Sequence, residues 1–303
     1  MNIENKYTLP ILIFFLLEMT ACSMDNDEPV IVSEGQKLEL RAGMETLSDG
    51  LSFSDSVFFA CGAEAGMYTD IWKAGVQPNG RIGFSEAKYY PSDDSRIYLR
   101  GFAPEGEQSG NGQIVYSMDG RQDVLITDEQ NGCLTDMFWQ EGKRFEFVHL
   151  LSQLRFRFRC DEAGKENGWK LISLVVDGVQ RNARLSLADK ALFFSGEKDT
   201  ITVFDRMGGD ELRVLDTDWT DVPEIVTIQP GVEVSLTVVV EGHSGRLIGF
   251  EHLPVTFHEE DNLPVSGTSY LLSVRLRTEE AISLSVAVLP WKTGSPGSGT
   301  IKD

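Results

Sequence analysis

The sequence predicts an all-β fold made of antiparallel β-sandwiches. Short alternating or apolar stretches recur along the chain and are bounded by Gly, Asn, Asp and Pro, which is typical of strands joined by turns. Tight-turn signals such as Pro78-Asn79-Gly80 and Asn131-Gly132 lie between these stretches. No amphipathic pattern extends over four helical turns. Sheets packed face to face are the architecture that buries such strands.

The clearest strand pattern is in residues 154–159, where apolar and basic residues alternate strictly. A period of two predicts one buried side and one solvent-facing side. Leu154, Phe156 and Phe158 share the first side, and Arg155, Arg157 and Arg159 share the second. The arginine row is compatible with a phosphate or glycan site. It is also compatible with a solvent-facing row next to acidic residues on the neighbouring strands.

Length and composition indicate two domains after an N-terminal segment. The chain has 303 residues, 41% of them hydrophobic, which is enough for a large core. The polar stretch at residues 161–168 is one candidate boundary. Because it follows the arginine strand directly, it is equally compatible with a hairpin loop, and we place the boundary earlier, near Glu141-Gly142. The predicted domains are therefore residues 37–142 and 143–303.

Residues 1–21 are predicted to be a secretory signal peptide. A polar stretch that contains Lys6 precedes the apolar run from Leu9 to Leu17. This run holds about nine residues, whereas a helix needs about 20 to cross the hydrocarbon layer. We therefore expect the segment to direct export without remaining as a membrane-spanning anchor.

Cys22 is the predicted lipidation site. The small residues before it complete the tetrad Met19-Thr20-Ala21-Cys22, which matches a lipobox, although Met19 stands where Leu is usual. An ordinary signal peptide with an incidental cysteine is the alternative. Several acyl chains anchor firmly, since each buried methylene contributes ~0.8 kcal/mol. Residues 22–36 form an acidic linker, and its start resembles the signal that sends some Gram-negative lipoproteins to the outer face of the outer membrane. We expect a surface-exposed outer-membrane lipoprotein.

The chain is strongly acidic. Its formal net charge is −20, and removal of residues 1–21, with Lys6, Glu4 and Glu18, leaves −19. Such a charge disfavours nucleic acid as a partner. A solvated acidic exterior explains the excess of carboxylates better than a specific cation site does.

The sequence contains no motif for catalysis, metal binding or a cofactor. It has no Gly-x-Ser-x-Gly elbow, glycine-rich phosphate loop, dinucleotide fingerprint or His-Glu-x-x-His segment. The histidines lack metal-ligand spacing, and Cys61, Cys133 and Cys160 allow at most one disulfide, burial as small apolar residues being the commoner state. We expect a protein without enzymatic activity or cofactors. Six aromatic residues are candidates for stacking on sugars, although packing is their commoner role: Trp72, Tyr89, Tyr90, Trp139, Trp169 and Trp219.

Several segments, taken in order, resemble the fimbrillin-like lipoproteins that build the type V pili of Gram-negative gut and oral bacteria. They are residues 88–91, 97–104, 123–127, 145–158 and 282–291. The resemblance covers most of the chain after Cys22. It implies two transthyretin-like β-sandwich domains and a role as a stalk, anchor or tip subunit of a pilus.

The resemblance also implies polymerisation by strand exchange with other pilin subunits. In the resembled pilins a protease cuts after an Arg near the mature N-terminus, which removes the first strand and opens an acceptor groove. Arg41, followed by Ala42, stands at a comparable place, and an edge strand that is never cut is the alternative. The donor is expected in the C-terminal stretch, which equally fits a last strand that completes its own sandwich. The expected donor residues share one face: Ile282, Leu284, Val286 and Val288.

The predicted function is that of a structural or accessory subunit of cell-surface pili that supports adhesion. Its expected partners are other pilin subunits, the outer membrane through the lipid anchor, and a host or bacterial surface ligand. An outer-membrane glycan-binding lipoprotein of a nutrient-uptake system is the alternative function, and a secreted hydrolase is a third.

Overall fold

The computed structural model describes residues 35–44, 56–77, 79–110, 112–242, 244–257, 261–278 and 281–291. These residues form strands almost throughout, with one short helix, so the predicted all-β fold is confirmed. The predicted signal peptide, the lipidation site Cys22 and most of the acidic linker lie outside the described residues. Within the described ranges, no helix has both the length and the apolar character needed to cross a membrane.

Ten strands precede residue 150. They are β1 (Leu40–Met44), β2 (Val57–Gly62), β3 (Asp70–Val76), β4 (Arg81–Phe84), β5 (Ile97–Ala103), β6 (Glu107–Gln108), β7 (Gln113–Ser117), β8 (Leu125–Ile126), β9 (Gln130–Gly132) and β10 (Phe145–His149). Every residue of β2 is buried, as expected of a continuous apolar run that is covered on both faces.

Seven of these strands form a closed ring. In order, the ring runs β2, β3, β4, β1, β10, β8 and β5, and β5 pairs back with β2. Ring closure leaves none of the seven as a free sheet edge, and β9 extends the sheet from β5. The pairs are antiparallel except for β1 with β10, which run parallel. Phe59 and Phe145 pack edge to face behind these strands with ring centroids 5.0 Å apart.

Nine strands and one helix follow. The strands are β11 (Ser152–Cys160), β12 (Lys170–Ser186), β13 (Ala191–Asp205), β14 (Arg213–Val214), β15 (Thr220–Ile228), β16 (Ser235–Glu241), β17 (Leu247–Pro254), β18 (Ser269–Thr278) and β19 (Ala281–Leu289). Helix α1 (Glu162–Glu166) occupies the polar stretch after β11, where the Asp161 carboxylate accepts a hydrogen bond from the Gly164 amide at 2.9 Å.

The later strands form two sheets. One has four strands in the order β15-β11-β18-β19, and the other follows the order β17-β16-β12-β7-β6, with β13 and β14 also paired to β12. Within the four-stranded sheet, β11 and β18 are parallel, a second exception to the antiparallel prediction. The predicted alternation in β11 is confirmed, since Leu154, Phe156 and Phe158 are at most 1% exposed and belong to the large apolar cluster of this part of the chain.

Strand β12 connects the two parts of the chain. Its first residues pair with β16, whereas Asn182 to Ser186 pair with β7. One apolar cluster ends at Phe147 and another begins at Leu154. A third cluster combines residues such as Phe102 and Leu185 from both sides of residue 142. The domain boundary near Glu141-Gly142 stays a prediction.

The three cysteines of the described residues are buried and free: Cys61, Cys133 and Cys160. Their burial matches the commoner of the two states expected from the sequence.

Candidate functional site

The segment around β1 is fully seated in the ring of strands. Leu38, Leu40 and Ala42 are at most 2% exposed, while Glu39 and Arg41 between them are exposed. This alternation places the apolar side of the segment in the cluster that contains Phe59 and Phe145, and the charged side in solvent.

Hydrogen bonds hold this segment on two sides. On one side, the Leu38 amide donates to the Lys88 carbonyl at 2.8 Å, and the Ala42 amide donates to the Gly80 carbonyl at 2.8 Å. On the other side, Ala42 is in parallel register with Phe145 of β10. The Arg144 guanidinium also donates to the Ala42 carbonyl at 3.2 Å. Segment 36–44 therefore lies between β4 and β10 and completes the ring between them.

The two residues of the predicted processing site differ in accessibility. The Arg41 side chain is exposed and lies in a shallow cleft with Arg81 and Trp139. Ala42, in contrast, is buried, and its amide is part of the peptide bond that a protease would cut. Because that amide is hydrogen-bonded inside the ring, a protease reaches the bond only after the segment leaves its place.

The predicted donor strand is β19, and it lies at the edge of the four-stranded sheet. It pairs with β18 over nearly its whole length, and within the described residues no strand pairs with its other edge. Ile282, Leu284 and Val286 pack toward the apolar cluster, as their period of two predicts. Val288 does not join that cluster and is 56% exposed. In this state β19 completes its own sheet, which is the alternative left open by the sequence.

An aromatic stack fixes the end of β19. The Trp291 ring lies 3.9 Å from the His149 ring, nearly parallel to it. His149 is 6% exposed, and its Nδ1 lies 2.8 Å from the Asp123 carboxylate. This stack ties Trp291, two residues after the end of β19, to β10, which belongs to the ring of strands.

The candidate sugar-stacking aromatics occupy different environments. Tyr90 and Trp169 are at most 4% exposed, and Trp72 packs against the cluster behind the ring, so these three serve packing. Tyr89 and Trp139 are 46% and 47% exposed. The structure does not bring the six together. Trp219 lies beside two arginines of β11.

The part of the chain that the structure describes contains no group of three His, Cys, Asp or Glu side chains that could hold a metal ion. The predicted absence of enzymatic activity and of cofactors stays a prediction.

Sequence reasoning missed two features of this site. It did not reveal that β1 closes a ring, since closure depends on pairings with strands about 40 and 100 residues away. It also missed the stack of Trp291 on His149, for which the sequence contains no local signal.

Solved structures of several bacterial proteins share this fold. A candidate cell adhesion protein from Bacteroides uniformis superposes with a TM-score of 0.62 at 16% identity, and the match covers 85% of this chain and 99% of that chain. A second candidate cell adhesion protein, from Bacteroides ovatus, gives 0.54 at 12% identity over 85% and 98% of the two chains. A third, from Parabacteroides distasonis, gives 0.50 at 6% identity over 84% and 96%.

No family model matches the sequence, and no curated protein matches it. The identities to the solved structures are low, so the comparison concerns the fold. At that level the resemblance expected from the sequence segments is confirmed.

Proposed function

We propose that this chain is a structural or accessory subunit of a cell-surface pilus that supports adhesion and assembles by strand exchange. The observation that carries the proposal is the place of segment 36–44, which completes a closed ring of strands and precedes all other described strands. A segment at that position can be removed from one end without cutting the rest of the ring. The fold that the chain shares with candidate adhesion proteins of Bacteroidales supports the same role.

Removal of residues up to Arg41 would open an acceptor groove along β4, because Leu40 and Arg41 pair with that strand, while residues 42–44 would stay paired with β10. Leu38 and Leu40 would leave, and burial of each leucine side chain is worth about 1.5 to 3 kcal/mol. The Lys88 carbonyl and the Tyr90 amide would also lose their partners, the Leu38 amide and the Gln36 carbonyl. An incoming strand with apolar residues at every second position satisfies both requirements, which is the logic of β-augmentation.

Strand β19 has the properties of such a donor. Its Ile282, Leu284, Val286 and Val288 repeat the spacing of Leu38, Leu40 and Ala42. It is held by one neighbouring strand, so fewer contacts oppose its release than oppose the release of a central strand. Val288 is exposed in the isolated subunit and would gain contacts in a groove.

Processing and anchoring complete the proposal. Cys22 would be acylated and hold the precursor at the outer membrane, and cleavage after Arg41 would release the lipid-bearing segment. Arg41 is the first arginine of the sequence, and the next is Arg81, so an Arg-specific protease has one target before β4.

The test of processing uses the native producer. Arg41→Ala should abolish mature subunits and surface filaments, which immunoblots and immunogold microscopy measure. Arg81→Ala is the matched control, because Arg81 lies in register with Arg41 on β4 and its side chain is also exposed. Filaments at wild-type levels in Arg41→Ala cells would contradict processing at this residue.

The donor role is tested by Val288→Ser. Val288 is 56% exposed in the subunit, so its replacement should leave the melting temperature unchanged while polymer ladders on gels weaken. Val214→Ser is the control, since Val214 is 55% exposed on another strand. Equal ladders in both variants would exclude Val288 from an intersubunit groove.

The anchor is tested separately with Cys22→Ala, which should leave uncleaved precursor in the inner membrane. Mature protein with a free thiol at Cys22, detected by mass spectrometry, would contradict lipidation.

A further inference from the structure

The outer face of the four-stranded sheet carries five arginines. On β11 and β18 every second residue is buried in the apolar cluster, so the residues between them lie on the opposite side of the sheet. We call this set the arginine face: Arg155, Arg157, Arg159, Arg275 and Arg277. Arg277 is exposed and the other four are half-buried.

Among the described residues, no carboxylate forms an ion pair with the arginine face. Arg159 and Arg275 are direct neighbours in the register of β11 and β18. Like charges at such neighbouring positions destabilise a sheet. The Nε atoms of both residues are buried and have no hydrogen-bond acceptor among the described residues. None of the ion pairs formed by arginines in the described ranges involves the five.

Of the two strands that neighbour β11, β18 does not supply the acidic residues that the sequence suggested as one explanation of the arginine row. Along β18, the residues in register with Arg155, Arg157 and Arg159 are Leu271, Ser273 and Arg275. On β15, Asp221 is in register with Arg157 but forms no ion pair within the described residues. In a chain of net charge −20, a face that lacks paired carboxylates is a local exception. The interpretation of a row balanced by acidic neighbours is therefore wrong for β18.

Part of the arginine face is held in position before any ligand arrives. The guanidinium carbons of Arg157 and Arg159 lie 4.5 Å and 4.3 Å from the centre of the Trp219 ring. Arg157 Nε also donates to Ser273 Oγ at 2.7 Å. Guanidinium groups fixed by stacking lose less conformational entropy when they bind an anion.

The surroundings of the arginine face indicate a polymer of spaced anions rather than a protein surface. The positions of β19 in register with this face are Ser283, Ser285 and Ala287, which are small. Stable protein interfaces need buried aromatic or aliphatic anchors, and here Trp219 is already stacked with arginines. Successive arginines on β11 are about 6.6 Å apart, so each can reach a separate charged group along a polymer chain. The net charge of −20 disfavours nucleic acid, whose charge density is high.

We propose that the arginine face binds an anionic polysaccharide that carries sulfate or carboxylate groups. The forked guanidinium groups donate paired hydrogen bonds to such oxyanions. The screening length of about 8 Å at physiological salt lets the face act locally although the whole chain is acidic. The folded subunit alone should bind the polysaccharide, and strand exchange with another subunit is not required.

The test measures binding of residues 22–303 to heparin and to chondroitin sulfate, with uncharged dextran as the blank. Arg159→Gln with Arg275→Gln should weaken binding about tenfold or more and reduce the slope of log affinity against log salt by roughly two. The control is Arg121→Gln with Arg206→Gln, which removes the same charge from two exposed positions off this sheet and should bind like the wild type.

A second variant separates loss of binding from loss of folding. Arg277→Gln changes an exposed side chain, so it should keep the wild-type melting temperature and still weaken binding. The proposal is overturned if the wild type binds neither polysaccharide, if the control weakens binding as much as the variants do, or if duplex DNA binds as tightly as heparin.

Discussion

Replacing Leu40 with Ala should increase the rate of proteolysis after Arg41 by about 30-fold or more. Leu40 is 1% exposed and packs in the cluster behind the ring of strands. Truncation of a buried leucine to alanine costs about 2 to 5 kcal/mol. Since 1.4 kcal/mol corresponds to a factor of ten, the lower value raises the population with segment 36–44 released by about 30-fold.

Cleavage reports this opening because the target bond is protected in the closed ring. The Ala42 amide donates to the Gly80 carbonyl at 2.8 Å, and Ala42 is buried. When the segment recloses faster than the protease cuts, the observed rate follows the open population. The rate ratio between two variants then equals the ratio of their opening constants.

The assay uses residues 22–303 and an Arg-specific protease, and mass spectrometry follows the fragment that ends at Arg41. Glu39→Ala is the matched control, because Glu39 is the adjacent residue on the exposed side and forms only a surface ion pair with Arg81 at 3.4 Å. Such a pair is worth about 0.2 to 1 kcal/mol, which allows at most about a fivefold change. Arg41→Gln confirms which bond is cut.

Equal cleavage rates in wild type, Leu40→Ala and Glu39→Ala would refute the reasoning. That result would mean that the bond after Arg41 is accessible without opening, and that segment 36–44 is not held between β4 and β10 as described.

Two further predictions concern a buried thiol and the end of β19. Burial, with a smaller contribution from Asp70, raises the pKa of the Cys61 thiol to about 12. In the folded state the thiol stays protonated above pH 9.0, which is its ordinary pKa. Its contribution to the free energy of unfolding is therefore complete below pH 9 and declines from pH 9 to 12. Urea titrations at pH 8, 9 and 10 should show a steeper loss for wild type than for Cys61→Ala, and parallel losses would contradict the shift. Trp291→Ala should remove a stack on His149 worth ~0.5–1.5 kcal/mol and therefore speed amide hydrogen exchange in β19. Trp139→Ala is the control, because its ring is exposed and its loss should leave exchange in β19 unchanged. Identical exchange rates in the two variants would rule out the stack as a tether.

Much of the fold was predictable because its signals are local. The alternation of residues 154–159 predicted which side of β11 is buried, and the structure confirms it. The same period of two correctly grouped Ile282, Leu284 and Val286 on one face. Val288 shows the limit of this reasoning, because a repeat predicts a shared face but not how far the core extends along an edge strand.

The candidate site was predictable only in part. The sequence identified Arg41 as a candidate for processing, but an isolated strand pattern does not distinguish an edge strand from one that completes a ring. That distinction depends on pairing with β4 and with β10, which come much later in the chain. Likewise, the arginines of β11 were visible as a row, but their neighbour Arg275 lies 116 residues beyond Arg159 in the sequence.

The sequence by itself determined the strand-rich class, the faces of individual strands and the acidic character, and it predicts the signal peptide with Cys22. These follow from periodicity, composition and short motifs, which each residue carries regardless of its partners. Only the tertiary structure decided which strands pair, that two pairs are parallel, that β1 closes a ring, and that two arginine rows share one face. The reason is that strand pairing is chosen by the burial and backbone hydrogen bonding of the whole chain, and nearby residues do not encode a distant partner.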